Sequence, residues 1–160
     1  MCTLKYPPLG RRGLAGATAP VSKYVGWASL AEQIETVNRN LVVGVQIDTA
    51  EGLSDLDGIL AVPGVDIAVV DNDNLSTRMG IPGQLTHRDY VKTVQRVIEA
   101  CQRHNVLPGI ATGEPDMAAM WIERGMRAIW YSADICLIYD AASRGLRALK
   151  ERLFQSGGTE

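Results

Sequence analysis

The sequence predicts an α/β fold in which parallel strands alternate with helices in (β/α) units. The chain has 160 residues, which is the size of one domain. Hydrophobic residues make up 46% of it and charged residues 21%, a composition typical of a packed globular protein rather than a disordered one. Short apolar runs recur between stretches of helical periodicity, as expected for parallel strands that helices cover.

Each element can be justified in chain order. The first ~20 residues contain closely spaced prolines and glycines, which predict a loop. A helix is expected from Ser22 to about Asn38, with Ser22 as its N-cap and an apolar face on one side. Four apolar, mostly β-branched runs are then predicted as strands: Leu41–Ile47, Val65–Val70, Val106–Ala111 and Met126–Tyr131.

Helices are predicted after each of these runs, and a loop is predicted directly after the second one. The helical stretches are Ala50–Ala61, His87–His104, Pro115–Arg124 and a last amphipathic one that begins at Asp134 or Asp140 and ends at Phe154. The whole chain, 1–160, is therefore interpreted as a single domain. Four units are too few to close a barrel, which needs eight strands.

Charge and cysteine content exclude several classes of function. The chain has 16 basic and 18 acidic residues and a net charge of −2, so no basic face for nucleic acid is expected. No apolar run approaches the ~20 residues of a membrane helix, and no membrane partner is expected. Three widely spaced cysteines argue against a disulfide framework and predict a reducing, cytoplasmic location.

Polar side chains follow all four predicted strands, and the carboxyl ends of parallel strands meet at one edge of a sheet. The first strand ends in Gln46-Ile47-Asp48-Thr49, and the second is followed by Asp71-Asn72-Asp73-Asn74. Thr112-Gly113-Glu114 and Ser132-Ala133-Asp134 follow the other two. Carboxylates in such a place are typical ligands of Mg²⁺ or Mn²⁺. Thr49 and Glu114 are interpreted instead as helix N-caps.

Other site types have weaker support in the sequence. Residues 71–74 do not match a calcium loop, because the glycine and glutamate of that pattern are missing. The glycine-rich segment Gly10–Gly16 has no Walker lysine, although Arg11 and Arg12 are suited to an anionic group. His87 and His104 are interpreted as surface residues at the two ends of one helix rather than as a zinc pair.

Several of these segments, in the same order and at the same spacing, resemble the HpcH/HpaI aldolase and citrate lyase family. They are Tyr6-Pro7-Pro8-Leu9-Gly10-Arg11-Arg12-Gly13, Gln46-Ile47-Asp48-Thr49, Asn72-Asp73-Asn74-Leu75-Ser76 and Met79-Gly80-Ile81-Pro82-Gly83-Gln84. The resemblance extends from Tyr6 to about Leu153 and corresponds to the C-terminal half of the family's barrel. It implies half of a TIM barrel, a homo-oligomer, and a carbon–carbon lyase that cleaves 2-keto-4-hydroxy acids to pyruvate and an aldehyde.

The same resemblance implies a divalent metal, Mg²⁺ or Mn²⁺, which binds pyruvate and stabilises its enolate. The family's Gln-Ile-Glu-Thr segment falls on Gln46, which implies a substrate contact, and on Asp48, which implies a metal ligand. Its second carboxylate ligand falls on Asn74, and the adjacent position, whose backbone N–H meets the substrate carboxylate, falls on Asp73. Substrate binding is therefore expected at Gln46, Asp73 and Asn74, and metal binding at Asp48 and Asn74.

Two features of this sequence depart from the family pattern. Asp48 is one methylene shorter than glutamate, and Asn74 lacks the charge of aspartate, so metal affinity is expected to fall. The catalytic base and arginine of the family lie in the half of the barrel that this sequence does not match, so the catalytic residues are unknown. The alternative is therefore a truncated or degenerate, non-catalytic member that binds a keto acid or partners another barrel half.

Overall fold

The computed structural model describes residues 3–13 and 29–156, and in these ranges it contains one four-stranded sheet. The strands lie in the order β1-β2-β3-β4, and all three neighbouring pairs are parallel. Consecutive order is the arrangement found in a (β/α) barrel, where each strand pairs with the next one along the chain. The strands are β1 (Gly44–Ile47), β2 (Ile67–Asp71), β3 (Leu107–Thr112) and β4 (Ala128–Tyr131).

Helices follow every strand, which confirms the predicted (β/α) alternation. They are α1 (Leu30–Asn40), α2 (Ala50–Ser54), α3 (Leu56–Leu60), α4 (Asn72–Arg78), α5 (Arg88–His104), α6 (Pro115–Glu123) and α7 (Asp134–Ser156). In the described ranges, no helix has the length and apolar character needed to cross a membrane.

Four helix predictions need correction or refinement. The predicted N-cap Ser22 lies outside the described residues; α1 begins at Leu30, where Ser29 accepts a hydrogen bond from the Glu32 backbone at 3.2 Å. The single helix predicted over Ala50–Ala61 is two helices that meet at Asp55. The segment after β2, predicted as a loop, forms α4. Of the two starts proposed for α7, the structure has Asp134.

The hydrophobic core lies between one face of the sheet and the helices. Alternate strand residues, including Ile47, Val70 and Ile110, point into it and are almost fully buried. On the helix side, α5 contributes buried residues at helical spacing, among them Val94 and Cys101. Burial raises the pKa of Cys101 to about 11, so this thiol stays protonated and acts as a packing residue.

The other face of the sheet is much less covered. Ile67 and Val69 of β2 are half-buried there, and Leu107 and Trp130 are exposed. A side chain would fit tightly in the middle of this face, because a Cβ at Gly109 would lie 3.3 Å from both the Ile67 Cγ2 and the Ala128 Cβ atoms. The face that packs against the helices, which we call the outer face, is therefore covered, whereas the opposite, inner face is partly open. The carboxyl ends of the strands lie at a single edge of the sheet.

Candidate functional site

The candidate site lies at the carboxyl edge of β1 and β2. Ile47 pairs with Val70. The next residues along the chain, Asp48 and Asp71, therefore lie side by side at the carboxyl edge of the sheet. Gln46 and Asp48 are two residues apart and therefore belong to the face opposite the buried Ile47. Gln46 is exposed and Asp48 is half-buried.

Asp71 is the centre of the hydrogen bonds at this edge. Its Oδ2 atom accepts from the Gln46 Nε2 atom at 2.8 Å, which joins β1 to β2 through side chains. Its Oδ1 atom accepts from the backbone N–H of Asn74 at 3.0 Å, the standard N-cap bond of a helix start. Oδ2 also accepts from the Asn74 Nδ2 atom at 3.1 Å. Both predicted amides, Gln46 and Asn74, are therefore held by one carboxylate.

A buried chain of polar groups fixes the beginning of α4 to the rest of the sheet. Asn72 is buried, and its Nδ2 atom donates to the Ala111 carbonyl of β3 at 2.8 Å. The Tyr90 hydroxyl of α5 donates to the Asn72 Oδ1 atom. Burial, together with the negative charges of Asp71 and Asp73, raises the pKa of Tyr90, so its hydroxyl keeps the proton that this hydrogen bond needs.

A groove of about 810 Å³ extends from this edge towards β4 and the first turns of α7. We call it the edge groove. Its polar walls include four carboxylates, Asp71, Asp73, Glu114 and Asp140. Trp130 and Tyr139 provide aromatic surface on the α7 side. The volume lies in the range of small-molecule sites.

Asp73 and Asn74 lie in the first turn of α4 and are exposed. The loop predicted for this segment is wrong, because the segment is helical. Asp73 lines the edge groove, and Asn74 contacts Asp71. The structure thus joins Gln46 and Asn74 through Asp71, which the sequence predicts only as one member of a carboxylate-rich segment after the second strand. One signal in the sequence could have revealed this role: Asp71 is an aspartate directly after a strand, a residue type that commonly caps the start of a helix.

The two predicted N-caps differ. Thr49 accepts from the Gly52 backbone at 3.0 Å and caps α2, as predicted. Glu114 occupies the N-cap position of α6, but its side chain makes no capping bond. Its backbone N–H instead donates to the Thr112 Oγ1 atom at 3.2 Å. The Glu114 carboxylate is thus left exposed on the wall of the edge groove.

The two histidines lie at opposite ends of α5, as predicted. A helix of 17 residues is about 25 Å long, so these imidazoles do not share a metal ion. His87 caps α5 by accepting from the Asp89 backbone at 3.2 Å. Arg103 and His104 contact the Asp57 Oδ1 atom at 2.9 and 2.8 Å, and these hydrogen bonds lower the pKa of Asp57.

The N-terminal segment that includes Arg11 and Arg12 is attached to α1 rather than to the edge groove. Asn38 bonds both the N–H and the carbonyl of Tyr6, at 2.8 and 3.0 Å. The Arg12 guanidinium lies 4.8 Å from the Tyr6 ring centre, in a cation–π contact. Residues 14–16 of the glycine-rich segment lie outside the described residues.

Comparison with known proteins identifies the family. The family model for HpcH/HpaI aldolase/citrate lyase matches residues 3–141. A 2-dehydro-3,6-dideoxy-6-sulfogluconate aldolase from Pseudomonas putida is 32% identical over 149 residues, which are 93% of this chain and 57% of that protein. A hydroxypyruvate/pyruvate aldolase from Pseudomonas aeruginosa is 30% identical over 96% of this chain and 54% of that protein. The chain spans about half the length of the curated relatives it matches.

Solved structures agree with the sequence matches. An HpcH/HpaI aldolase from Desulfitobacterium hafniense superposes with a TM-score of 0.79 at 29% identity, over 94% of this chain and 57% of that one. A family protein from Burkholderia cenocepacia superposes with a TM-score of 0.77, also at 29% identity, over 92% of this chain and 57% of that one. The fold is that of parallel (β/α) units from a TIM-like barrel, and the chain belongs to the HpcH/HpaI aldolase/citrate lyase family.

Proposed function

We propose that this chain carries the metal- and substrate-binding half of a carbon–carbon lyase, a metal-dependent aldolase. Its substrates are 2-keto-4-hydroxy acids, and its products are pyruvate and an aldehyde. Family membership supports this class, since relatives at about 30% identity are named as aldolases of small keto acids. A net charge of −2 accords with a small-molecule substrate rather than nucleic acid. We further propose a single domain over 1–160, a homo-oligomer and a cytoplasmic location.

One observation carries the proposal: the residues implied by the family lie at one sheet edge, where Asp71 joins Gln46 to Asn74. Asp48, on the neighbouring strand end, is half-buried and makes no side-chain hydrogen bond with the described residues. These donors fit a divalent cation in chemistry, because Mg²⁺ and Mn²⁺ prefer oxygen. Mg²⁺ commonly takes one or two protein carboxylates and completes its shell with water and substrate.

In this proposal Asp48 and Asn74 hold Mg²⁺ or Mn²⁺, which when bound supplies Lewis-acid stabilisation of negative charge on the keto oxygen. Gln46 contacts the substrate through its amide. The backbone N–H of Asp73, in the first turn of α4, meets the substrate carboxylate. The Asp73 carboxylate is exposed and opposes that contact by charge, which weakens substrate binding.

A second candidate function is a non-catalytic member that binds a keto acid or partners another barrel half. The available metal ligands favour the non-catalytic function, because Asn74 provides no charge and Asp71 already accepts three hydrogen bonds. Within residues 3–13 and 29–156, no three acidic, histidine or cysteine side chains form a metal-binding group. Neither the base nor the arginine of the family is assigned to a residue here.

A thermal melt tests the binding half of the proposal. We expect Mn²⁺ together with oxalate, an analogue of the pyruvate enolate, to raise the unfolding midpoint more than either alone. A ligand at a hundredfold excess over Kd stabilises the folded state by about 2.7 kcal/mol. Asp48→Ala should abolish the rise, whereas Glu99→Ala, which removes an exposed carboxylate from the middle of α5, should keep it.

Two results separate the candidates. Exchange of the pyruvate methyl protons in D₂O, followed by NMR and dependent on Mn²⁺, would support the lyase. A ligand-dependent midpoint without that exchange would support the non-catalytic binder. The metal site itself would be contradicted if neither Mn²⁺ nor oxalate changed the unfolding midpoint. It would also be contradicted if the midpoint of Asp48→Ala rose as much as that of the unmodified chain.

A further inference from the structure

The side-chain orientation of Gln46 and Asn74 is determined by a third residue. Asp71 accepts from the Gln46 Nε2 atom at 2.8 Å and from the Asn74 Nδ2 atom at 3.1 Å, and both bonds end on its Oδ2 atom. Gln46 and Asn74 are exposed and belong to different elements, β1 and α4. Without a common partner, each amide is free to rotate in water.

The chemistry of a carboxylate determines which end of each amide faces Asp71. An ionised carboxylate accepts hydrogen bonds and donates none, whereas an amide has a donor end and an acceptor end. Facing Asp71, both amides must therefore turn their NH₂ groups inward. The Gln46 Oε1 and Asn74 Oδ1 atoms are then the ends left for another partner, and a cation binds those ends rather than NH₂ groups.

We propose that Asp71 is a positioning residue, which fixes both amides so that the Asn74 carbonyl oxygen is presented to the bound cation and the Gln46 carbonyl oxygen to the 4-hydroxyl donor of the substrate. This inference rests on the proposed function, because Asn74 is its metal ligand and Gln46 its substrate contact. It adds a residue for which the family pattern provides no role. It also explains how two uncharged side chains from separate elements are kept in one orientation at an exposed edge.

Asp71 also caps α4, and the test must separate positioning from capping. Asn is as good an N-cap as Asp, so Asp71→Asn keeps the bond to the Asn74 backbone. It replaces one acceptor oxygen by an NH₂ group, so Oδ2 no longer holds both amides. Glu114→Gln is the matched control, because it removes a carboxylate charge from the same edge groove without removing a side-chain hydrogen bond to the described residues.

The first measurement needs no metal. We expect the side-chain ¹H–¹⁵N amide resonances of Gln46 and Asn74, assigned by their loss in Gln46→Ala and Asn74→Ala, to shift in Asp71→Asn and to stay in place in Glu114→Gln. The unfolding midpoint without metal should change little. Resonances that stay in place in Asp71→Asn would overturn the proposal, even if the chain binds no metal and the proposed function fails.

The second measurement is the Kd for Mn²⁺ alone, from the EPR signal of the free ion. We expect Asp71→Asn to raise it about tenfold, the effect typical of losing a partner that orients metal ligands. In a Gln46→Ala/Asn74→Ala background, the same substitution should have no further effect. A further loss there would show that Asp71 binds the ion directly, and this would overturn the positioning role.

Discussion

At the scale of single residues, the charge at position 74 determines how strongly the edge of the sheet binds a cation. The family resemblance places a carboxylate ligand there, and this chain has Asn74. An amide oxygen is a ligand for hard cations, but the affinity of such sites depends on the number of charged ligands. Asp48 alone then provides the charge in the proposed ligand pair.

Asn74→Asp should therefore tighten Mn²⁺ binding at least about tenfold, which corresponds to 1.4 kcal/mol of added attraction. The substitution also removes the bond from Nδ2 to Asp71 and brings two carboxylates together. We therefore expect a lower unfolding midpoint without metal and a larger rise with it. Gln102→Glu is the control, because it also replaces an amide by a carboxylate, but on the exposed side of α5. Unchanged or weaker binding in Asn74→Asp would contradict the assignment of position 74 to the metal.

The sequence predicts which residues reach the edge, because the carboxyl ends of parallel strands must meet there. Gln46 and Asn74 both lie at that edge, where each donates a hydrogen bond to Asp71. It does not predict the role of Asp71, which depends on the helical turn after β2. Only when α4 forms does the Asn74 amide come back to the Asp71 carboxylate.

At the scale of elements, α4 is the part of the site that sequence periodicity does not reveal. It has seven residues, two turns, which is too short to show an apolar stripe. Isolated helices of this length are unstable in water, so α4 depends on its contacts. Asp71 caps it, and Asn72 fixes it to the Ala111 carbonyl and to Tyr90.

Tyr90→Phe should lower the free energy of unfolding by about 1–3 kcal/mol, because it leaves the buried Asn72 Oδ1 atom without its donor. Urea denaturation monitored by circular dichroism measures this change. Tyr139→Phe removes the same oxygen from an exposed tyrosine and should have little effect. Equal stability of the two variants would mean that the hydroxyl of Tyr90 does not hold α4 in place.

The elements that the sequence predicts well are those with a long periodic pattern or a continuous apolar run. Predicted as His87–His104, α5 is Arg88–His104, and its buried residues recur at helical spacing. The 50–61 segment also has helical residues, but the structure divides it at Asp55, whose backbone has φ −111° and ψ 30°. Helix propensity is averaged over a window of residues, so it does not reveal that the chain changes direction at a single residue.

At the scale of the whole molecule, residues 3–13 and 29–156 contain four (β/α) units, and the chain spans about half the length of the curated relatives it matches. Strands of a barrel are normally covered on both faces. Here the outer face is packed, but Leu107 and Trp130 on the inner face are exposed. Apolar surface is also exposed along α7, where Ile135, Ile138, Leu146 and Leu149 are all more than half accessible to solvent.

Exposed apolar surface of this extent favours association, so we expect the chain to form a homo-oligomer through α7. Analytical ultracentrifugation should then give a mass that is a multiple of 17.3 kDa. Leu146→Lys combined with Leu149→Lys places two charges on the apolar side of α7, and should shift the equilibrium towards the monomer. Glu151→Lys, at an exposed polar position of the same helix, should leave it unchanged. A single 17.3 kDa species at every concentration would contradict self-association, and would leave the apolar surface of α7 to a different partner.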